Sequence, residues 1–244
     1  MKKLLSVIVL TPMLLLGSCS KGGSADICDN IITVGASSTP HAQILEQARG
    51  YIEEQGYILD IKVMTDYVTP NISLNDGDLD ANYFQHEPYL FDFNLNQHTD
   101  IISVAKIHFE PMGIYIGKSD NGKILIPNDK SNGDRARDLL HLAGFNTSNV
   151  VEMEAQSIPM MLDDCSYACI NGNYALESGV IGNYQCLRTE SVTSDIAQRN
   201  ANVIAVKRGN ETAQAIKVLV EGLTQLNVYK FIVETYGSAV IPMF

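Results

Sequence analysis

The alternation of short apolar runs with helical patterns constrains this chain more than any other feature. "IITVGAS" (31–37) is followed by "PHAQILEQARGYIEEQG" (40–56), "YILDIKVMT" (57–65) by a short helix, and "LDANYF" (79–84) by "HEPYLFDFNLNQH" (86–98). Parallel strands need a crossover long enough to bring the chain back to the same sheet edge, and helices supply it, so this order predicts a parallel α/β sheet. Two long strand-like runs come next, "IISVAKI" and "MGIYIGK", on either side of "HFEP". A second series then begins: "KILIPND" with helix "RARDLLHLAG", "VVEMEA" with "SIPMMLDD", and "CSYACIN" with "NYALESG". "NVIAVKRGN" reads as one more strand, and 211–237 as one or two closing amphipathic helices. The expected fold is α/β, in two lobes joined by crossing strands; one large Rossmann-like domain is the competing layout.

The first residues belong to targeting rather than to the fold. Lys2 and Lys3 precede the apolar run "LLSVIVLTPMLLL", and small residues lead to a cysteine in "LGSCS". That is a signal peptide (1–18), too short and too interrupted by proline to be a good membrane span. Its ending resembles the lipobox of bacterial lipoproteins, which implies that Cys19 is acylated and becomes the mature N-terminus. Residues 19–30, with the Gly-rich stretch "SKGGSAD", then form a flexible tether. Losing Lys2 and Lys3 with the leader takes the formal charge from −11 to −13, an acidic balance that argues against nucleic-acid binding. The four other cysteines, Cys28, Cys165, Cys169 and Cys186, show no metal-ligand spacing. Outside the cytoplasm disulfides are possible, and Cys165 and Cys169, on a run that reads as buried, fit free core thiols as well as a bridge.

One stretch concentrates polar chemistry: "DGDLDANYFQHEPYL" (76–90). Asp76, Asp78 and Asp80 with His86 could be an acid and a base, or a metal site. A turn entering a strand, however, sends successive side chains to opposite faces, so the three carboxylates read as a solvated turn. Asn82, Phe84 and His86 share one parity at the C-terminal end of the strand, the edge at which open α/β sheets bind ligands. They read as a pocket wall. No GxSxG, HExxH, P-loop, GxGxxG or paired CxxC occurs in the sequence, so the common catalytic and cofactor signatures are missing, and no cofactor and no metal are expected. A hydrolase or lyase using His86 with an Asp is the rival reading, and a surface lipoprotein without a solute is a third.

The same stretch resembles the characteristic segment of the NlpA family of lipoproteins, methionine-binding proteins of ABC importers. Further stretches match in the same order: "VGASSTPHAQILE" (34–46), "TDYVTPN" (65–71), "EPMGIY" (110–115), "IPNDKSNGDRA" (126–136), "LDDCSYACINGNYA" (162–175) and "NVIAVKRGN" (202–210). The resemblance implies a type II periplasmic-binding-protein fold, lobe 1 spanning 31–113 plus 203–244 and lobe 2 spanning 114–202. It implies L-methionine or a similar amino acid as ligand, the permease and ATPase subunits of an importer as partners, and a membrane-anchored position in the cell envelope without enzymatic chemistry. Two departures stand out: the segment between Phe145 and Val150 is cut to "NTSN", and Lys130 stands where a proline usually follows "PND".

An amino acid with a thioether needs a carboxylate clamp, acceptors for its ammonium and an apolar slot. Arg135, read as first-turn in "RARDLLHLAG", places a cation where the helix dipole prefers an anion, which makes sense if it receives the ligand carboxylate. Asn171, ending one strand, and Asn202, beginning another, match ligand-contacting residues of the family; the alternative for each is a turn former. Asn173 reads as part of a helix start. Tyr67, Phe84 and His86 offer aromatic faces to a sulfur, worth up to about 1.5 kcal/mol, with Tyr115 a fourth candidate.

Overall fold

The computed structural model describes residues 30–192 and 195–244. The leader, Cys19, Cys28 and the tether up to residue 29 lie outside them. The strands in chain order are β1 Ile31–Ala36, β2 Ile58–Val63, β3 Ala81–His86, β4 Ile101–Phe109, β5 Gly113–Ile116, β6 Ile124–Pro127, β7 Val150–Met153, β8 Tyr167–Ile170, β9 Cys186–Thr189, β10 Asn202–Lys207 and β11 Ile241–Pro242. The helices are α1 Gln43–Glu54, α2 Thr69–Asp76, α3 Glu87–Gln97, α4 Lys130–Leu142, α5 Gly172–Glu177, α6 Val180–Asn183, α7 Asp195–Arg199, α8 Gln214–Leu223 and α9 Leu226–Tyr236.

The strands form two sheets, in the orders β11-β4-β10-β3-β1-β2 and β7-β6-β8-β5-β9. These are the two lobes expected from the alternation. Neither sheet is purely parallel. The β1–β2, β1–β3, β6–β7 and β6–β8 pairs are parallel, but β10 runs antiparallel to β3 and β4, and β5 antiparallel to β8 and β9. The short terminal β11 is also antiparallel to β4. β5 and β10 are each the first strand after the chain changes lobe, and a strand arriving from the other lobe enters its sheet from the opposite end. The outward crossing is Glu110–Met112, and the return lies between Thr189 and Asn202. By sheet membership Gly113 therefore belongs to the second lobe and Asn202 to the first, one residue away from the expected limits.

In the first lobe Ile32, Val34, Ile44, Leu45, Ile204, Val206, Ile216 and Leu219 form one buried cluster between the sheet and α1, α8 and α9. Each such side chain contributes roughly 1.5–3 kcal/mol on burial. Clusters around Leu125, Leu162 and Ile170, and around Ile114, Ile126 and Leu140, serve the second lobe. Cys165 and Cys169 are buried free thiols in these cores, and Cys186 is free and exposed.

One helix boundary differs from expectation, and the difference matters for the site. α4 begins at Lys130, not Arg135, because the Asp129 carboxylate accepts the Asn132 N–H at 2.9 Å and caps the helix there. Gly133 is tolerated in that first turn since a Cβ would lie 2.9 Å from the Pro127 carbonyl oxygen. Arg135 is consequently past the first turn, and the dipole argument for it fails. The shortened 145–150 segment is a surface loop between α4 and β7, where the Phe145 ring packs on Tyr167.

Candidate functional site

A narrow, water-sized cavity of about 20 Å³ lies between the lobes at the C-terminal ends of β3 and β8. Tyr67, Phe84, Gln85, His86, Tyr89, Glu110 and Asn202 line it from the first lobe and the outward crossing; Asn132, Arg135, Asn171, Gly172 and Asn173 line it from the second. Six of the seven expected residues thus meet in one place. Tyr115 does not: its ring folds back over Gly113 and joins the second-lobe core with Ala168 and Ile170, facing a separate shallow pocket beside Cys186.

Local structure explains how β3 delivers its side chains. Opposite β10 the register steps from Val203↔Gln85 to Ile204↔Tyr83, so Phe84 has no partner on that strand. Such a bulge re-aims the chain. Asn82 and Gln85, an odd number apart, now bond to each other at 3.0 Å and to Asn71, while Phe84 and His86 turn to the cavity. Simple strand parity therefore misplaces Asn82. Of the carboxylates before the strand, Asp76 and Asp78 are exposed, as a solvated turn requires, while Asp80 is half-buried and accepts the Thr33 N–H at 2.8 Å.

Both nitrogens of His86 are committed. Nδ1 accepts the Tyr89 N–H and caps α3, so the proton sits on Nε2, which donates to Asn132 Oδ1 at 3.0 Å. Burial lowers its pKa to about 3, keeping it neutral. No nitrogen is left to act as a general base, which removes the premise of the hydrolase reading.

The network also fixes which end of each amide faces which way. Asn132 donates to the Asp129 carboxylate, so its Oδ1 accepts from His86 and from Asn171 Nδ2 at 2.8 Å. Asn171 occupies the cap position of α5 but makes no capping bond, so it is not the turn former that its strand-end place suggested. Its Oδ1 is buried with no partner. Asn173 accepts from the Tyr67 hydroxyl at 2.6 Å, and its Nδ2 is likewise buried and unpartnered. Asn202 Oδ1 accepts from His41 Nε2 at 3.1 Å, so the amide nitrogen is the end it offers to the cavity. Buried orphans cost about 1–3 kcal/mol each, and one lone acceptor with one lone donor is the pattern an ammonium and a carboxylate would satisfy together.

Behind this surface lies a second buried layer. His41 holds the Ser37 hydroxyl at 2.5 Å on Nδ1, and His108 pairs with the Tyr83 hydroxyl on Nδ1 and with Glu110 Oε1 at 2.6 Å on Nε2. Burial lowers His41 to about 4 and His108 to about 3, and raises Glu110. His41, His108 and Glu110 are of metal-ligating type and lie within 4.8 Å of one another, with hydrogen bonds among themselves and their neighbours already engaging them. A Cβ at Gly172 would sit 2.6 Å from Glu110 Cβ, so only glycine lets α5 approach this carboxylate.

Arg135 donates from Nε and Nη2 to Glu190 at 2.6 and 2.5 Å and from Nη2 to the Glu110 carbonyl at 2.8 Å. The apolar end of the cavity is an aromatic cage: Tyr67 lies 5.8 Å from Phe84, 5.7 Å from Tyr89 and 4.9 Å from Tyr174, ring centre to ring centre. Asn132, Asn173, Glu110 and Tyr89 were not among the expected residues. The signal for Glu110 was visible, a carboxylate isolated between two apolar strand runs; Asn173 read as an ordinary helix-start residue.

Two α/β lobes closing on a small polar cavity define a solute-binding protein. The chain belongs to the NlpA lipoprotein family, whose model matches residues 32–150 and 148–244, the two segments meeting at the shortened loop. It is 31% identical over 276 residues to the methionine-binding lipoprotein MetQ of Bacillus subtilis, covering 100% of this chain and 99% of the relative. It is similar to the solved structure of an ABC-transporter periplasmic substrate-binding protein from Coxiella burnetii, with TM-score 0.79 and 31% identity over 87% of this chain and 100% of that one. A nutrient-binding protein from Burkholderia cenocepacia, solved with methionine bound, has TM-score 0.80 at 28% identity, again over 87% and 100%.

Proposed function

We propose that this chain captures methionine, or an amino acid close to it, and passes it to the permease and ATPase subunits of an ABC importer without covalent chemistry. The carrying observation is the pair of unpartnered buried atoms, Asn171 Oδ1 and Asn173 Nδ2, of opposite hydrogen-bonding character on two residues that line one cavity. In this reading Asn171 Oδ1 and the Glu110 carboxylate accept from the ligand ammonium. Asn173, Asn202 and Arg135 donate to its carboxylate, and the thioether lies in the cage of Tyr67, Phe84 and Tyr89, where sulfur–aromatic contacts are favourable. Opening and closing pivot on the crossings at 110–112 and 190–201. The test is calorimetric titration of protein stripped of carried-over ligand by unfolding and refolding. L-Methionine is expected to bind and to be recovered unchanged by chromatography; absence of binding, or an altered ligand, overturns the proposal.

Asn202→Ala is expected to weaken methionine binding at least tenfold, about 1.4 kcal/mol, and to shrink the ligand-induced melting shift in step. The unliganded melting point should fall only slightly, because Glu110 Oε1, 3.4 Å from His41 Nε2, can take over the freed proton. Equal affinity in the two proteins would remove Asn202 from the site.

The proposal includes anchoring through lipid on Cys19, at the envelope membrane. No helix among the described residues is long and apolar enough to cross a membrane. Cys19→Ser is expected to move the protein from the membrane to the soluble fraction on cell fractionation, with methionine affinity unchanged. A variant that stayed with the membrane would exclude acylation at Cys19 as the anchor.

A further inference from the structure

Arg135 and Glu190 form a buried bidentate pair whose surroundings differ on its two sides. Arg135 lines both the cavity and the wider cleft between α3 and α4, whereas Glu190 lines only the cleft, together with Phe91. Their side chains are only 8% and 3% exposed. Glu190 is also fixed to the outward crossing: its Oε2 accepts the Met112 N–H at 2.7 Å, and its own N–H donates to the Met112 carbonyl at 3.0 Å. It occupies the Nε/Nη2 edge of the guanidinium, the edge that matches a carboxylate fork best, so a ligand meets Arg135 already turned and already neutralised.

A closed site of low dielectric penalises any ligand charge left without a counter-charge. We propose that Glu190 is a specificity-determining positioning residue: by cancelling the charge of Arg135 from behind, it makes the cavity select an amino acid with equal positive and negative charge over analogues carrying the carboxylate alone. This rests on the amino-acid-binding reading above. Glu110, the other carboxylate at the cavity, is held by His108 and His41 and makes no direct bond to Glu190.

The test compares L-methionine with 4-(methylthio)butanoate, which keeps the carboxylate and thioether and lacks the ammonium. Glu190→Gln preserves an acceptor for Met112 and removes the charge. It is expected to weaken methionine binding about tenfold while weakening the butanoate less or strengthening it, so that the ratio of the two dissociation constants falls at least tenfold. Arg135→Gln leaves Glu190 uncompensated and should shift the ratio in the opposite direction, providing a second reading if the first variant does not fold. A purely structural role would weaken both ligands alike, so an unchanged ratio in a folded variant overturns the inference. Failure of the wild-type protein to bind methionine would instead overturn the proposed function.

Discussion

Acidification from pH 7 to pH 4.5 is expected to remove most of the stability of this protein. His41, His86 and His108 are fully buried and neutral, with pKa values lowered by burial from 6.5 to about 4, 3 and 3. A histidine lowered in the folded state takes up a proton on unfolding. The stability it contributes is complete above pH 6.5 and is lost as the pH falls toward the folded value. The slope is about 1.4 kcal/mol per pH unit for each group, so each costs about 2–3 kcal/mol by pH 4.5. Three together approach the whole stability of an ordinary domain, about 5–15 kcal/mol. Glu110 and Asp80, both raised by burial, act in the opposite sense and offset part of the loss. Denaturant unfolding of ligand-free protein at pH 7, 5.5 and 4.5 measures the sum. A flat profile would mean that the histidines are charged or exposed in solution, contrary to the packed layer behind the cavity.

Arg135→Ala is expected to damage the fold as much as the binding. A lone clamp facing the ligand could be removed without effect on the unliganded protein. Arg135 instead satisfies the Glu190 carboxylate and the Glu110 carbonyl, both out of water. Breaking such a pair on one side costs roughly 3–5 kcal/mol because a buried charge is stranded. At about 2–4 °C per kcal/mol for a protein of this size, the unliganded melting temperature should drop by about 10 °C or more. Methionine binding should fall in parallel. Replacing both partners by methionine should restore most of the melting temperature and none of the affinity, since well-packed apolar groups can substitute for a buried ion pair. If Arg135→Ala melts like the wild type, the pair does not persist in the unliganded protein.

The two-lobe layout was legible in the sequence because each strand-like run is short, apolar and followed by a helical pattern. The antiparallel entries of β5 and β10 were not, since periodicity carries no direction. The site residues were legible to different degrees. Phe84 and His86, read as a pocket wall, line the cavity, but the parity argument that also placed Asn82 there fails at the bulge, which depends on pairing with a strand more than 100 residues away. Arg135 does reach the cavity, but its expected first-turn position ignored the capping aspartate six residues earlier in the helix entry. The pairing with Glu190 spans 55 positions and had no local signal. Asn173 was hidden by its own suitability for a helix start. Tyr115, an aromatic on a strand leading from the crossing, went to the core because Gly113 leaves room for its ring.

The insertion of β10 between β3 and β4 also sets an order of assembly. Until residues 202–207 join, the first sheet consists of two parts, β1–β3 and β4, with no strand linking them, and each presents a bare edge. The strands of the second sheet, by contrast, all lie within residues 113–189. A chain emerging from its N-terminal end can therefore complete the second sheet while the first still waits for its central strand. During that interval the exposed edges of β3 and β4 are templates for pairing with other chains. The segment that ends this exposure also carries Asn202, so maturation of the first sheet and completion of the cavity are one event.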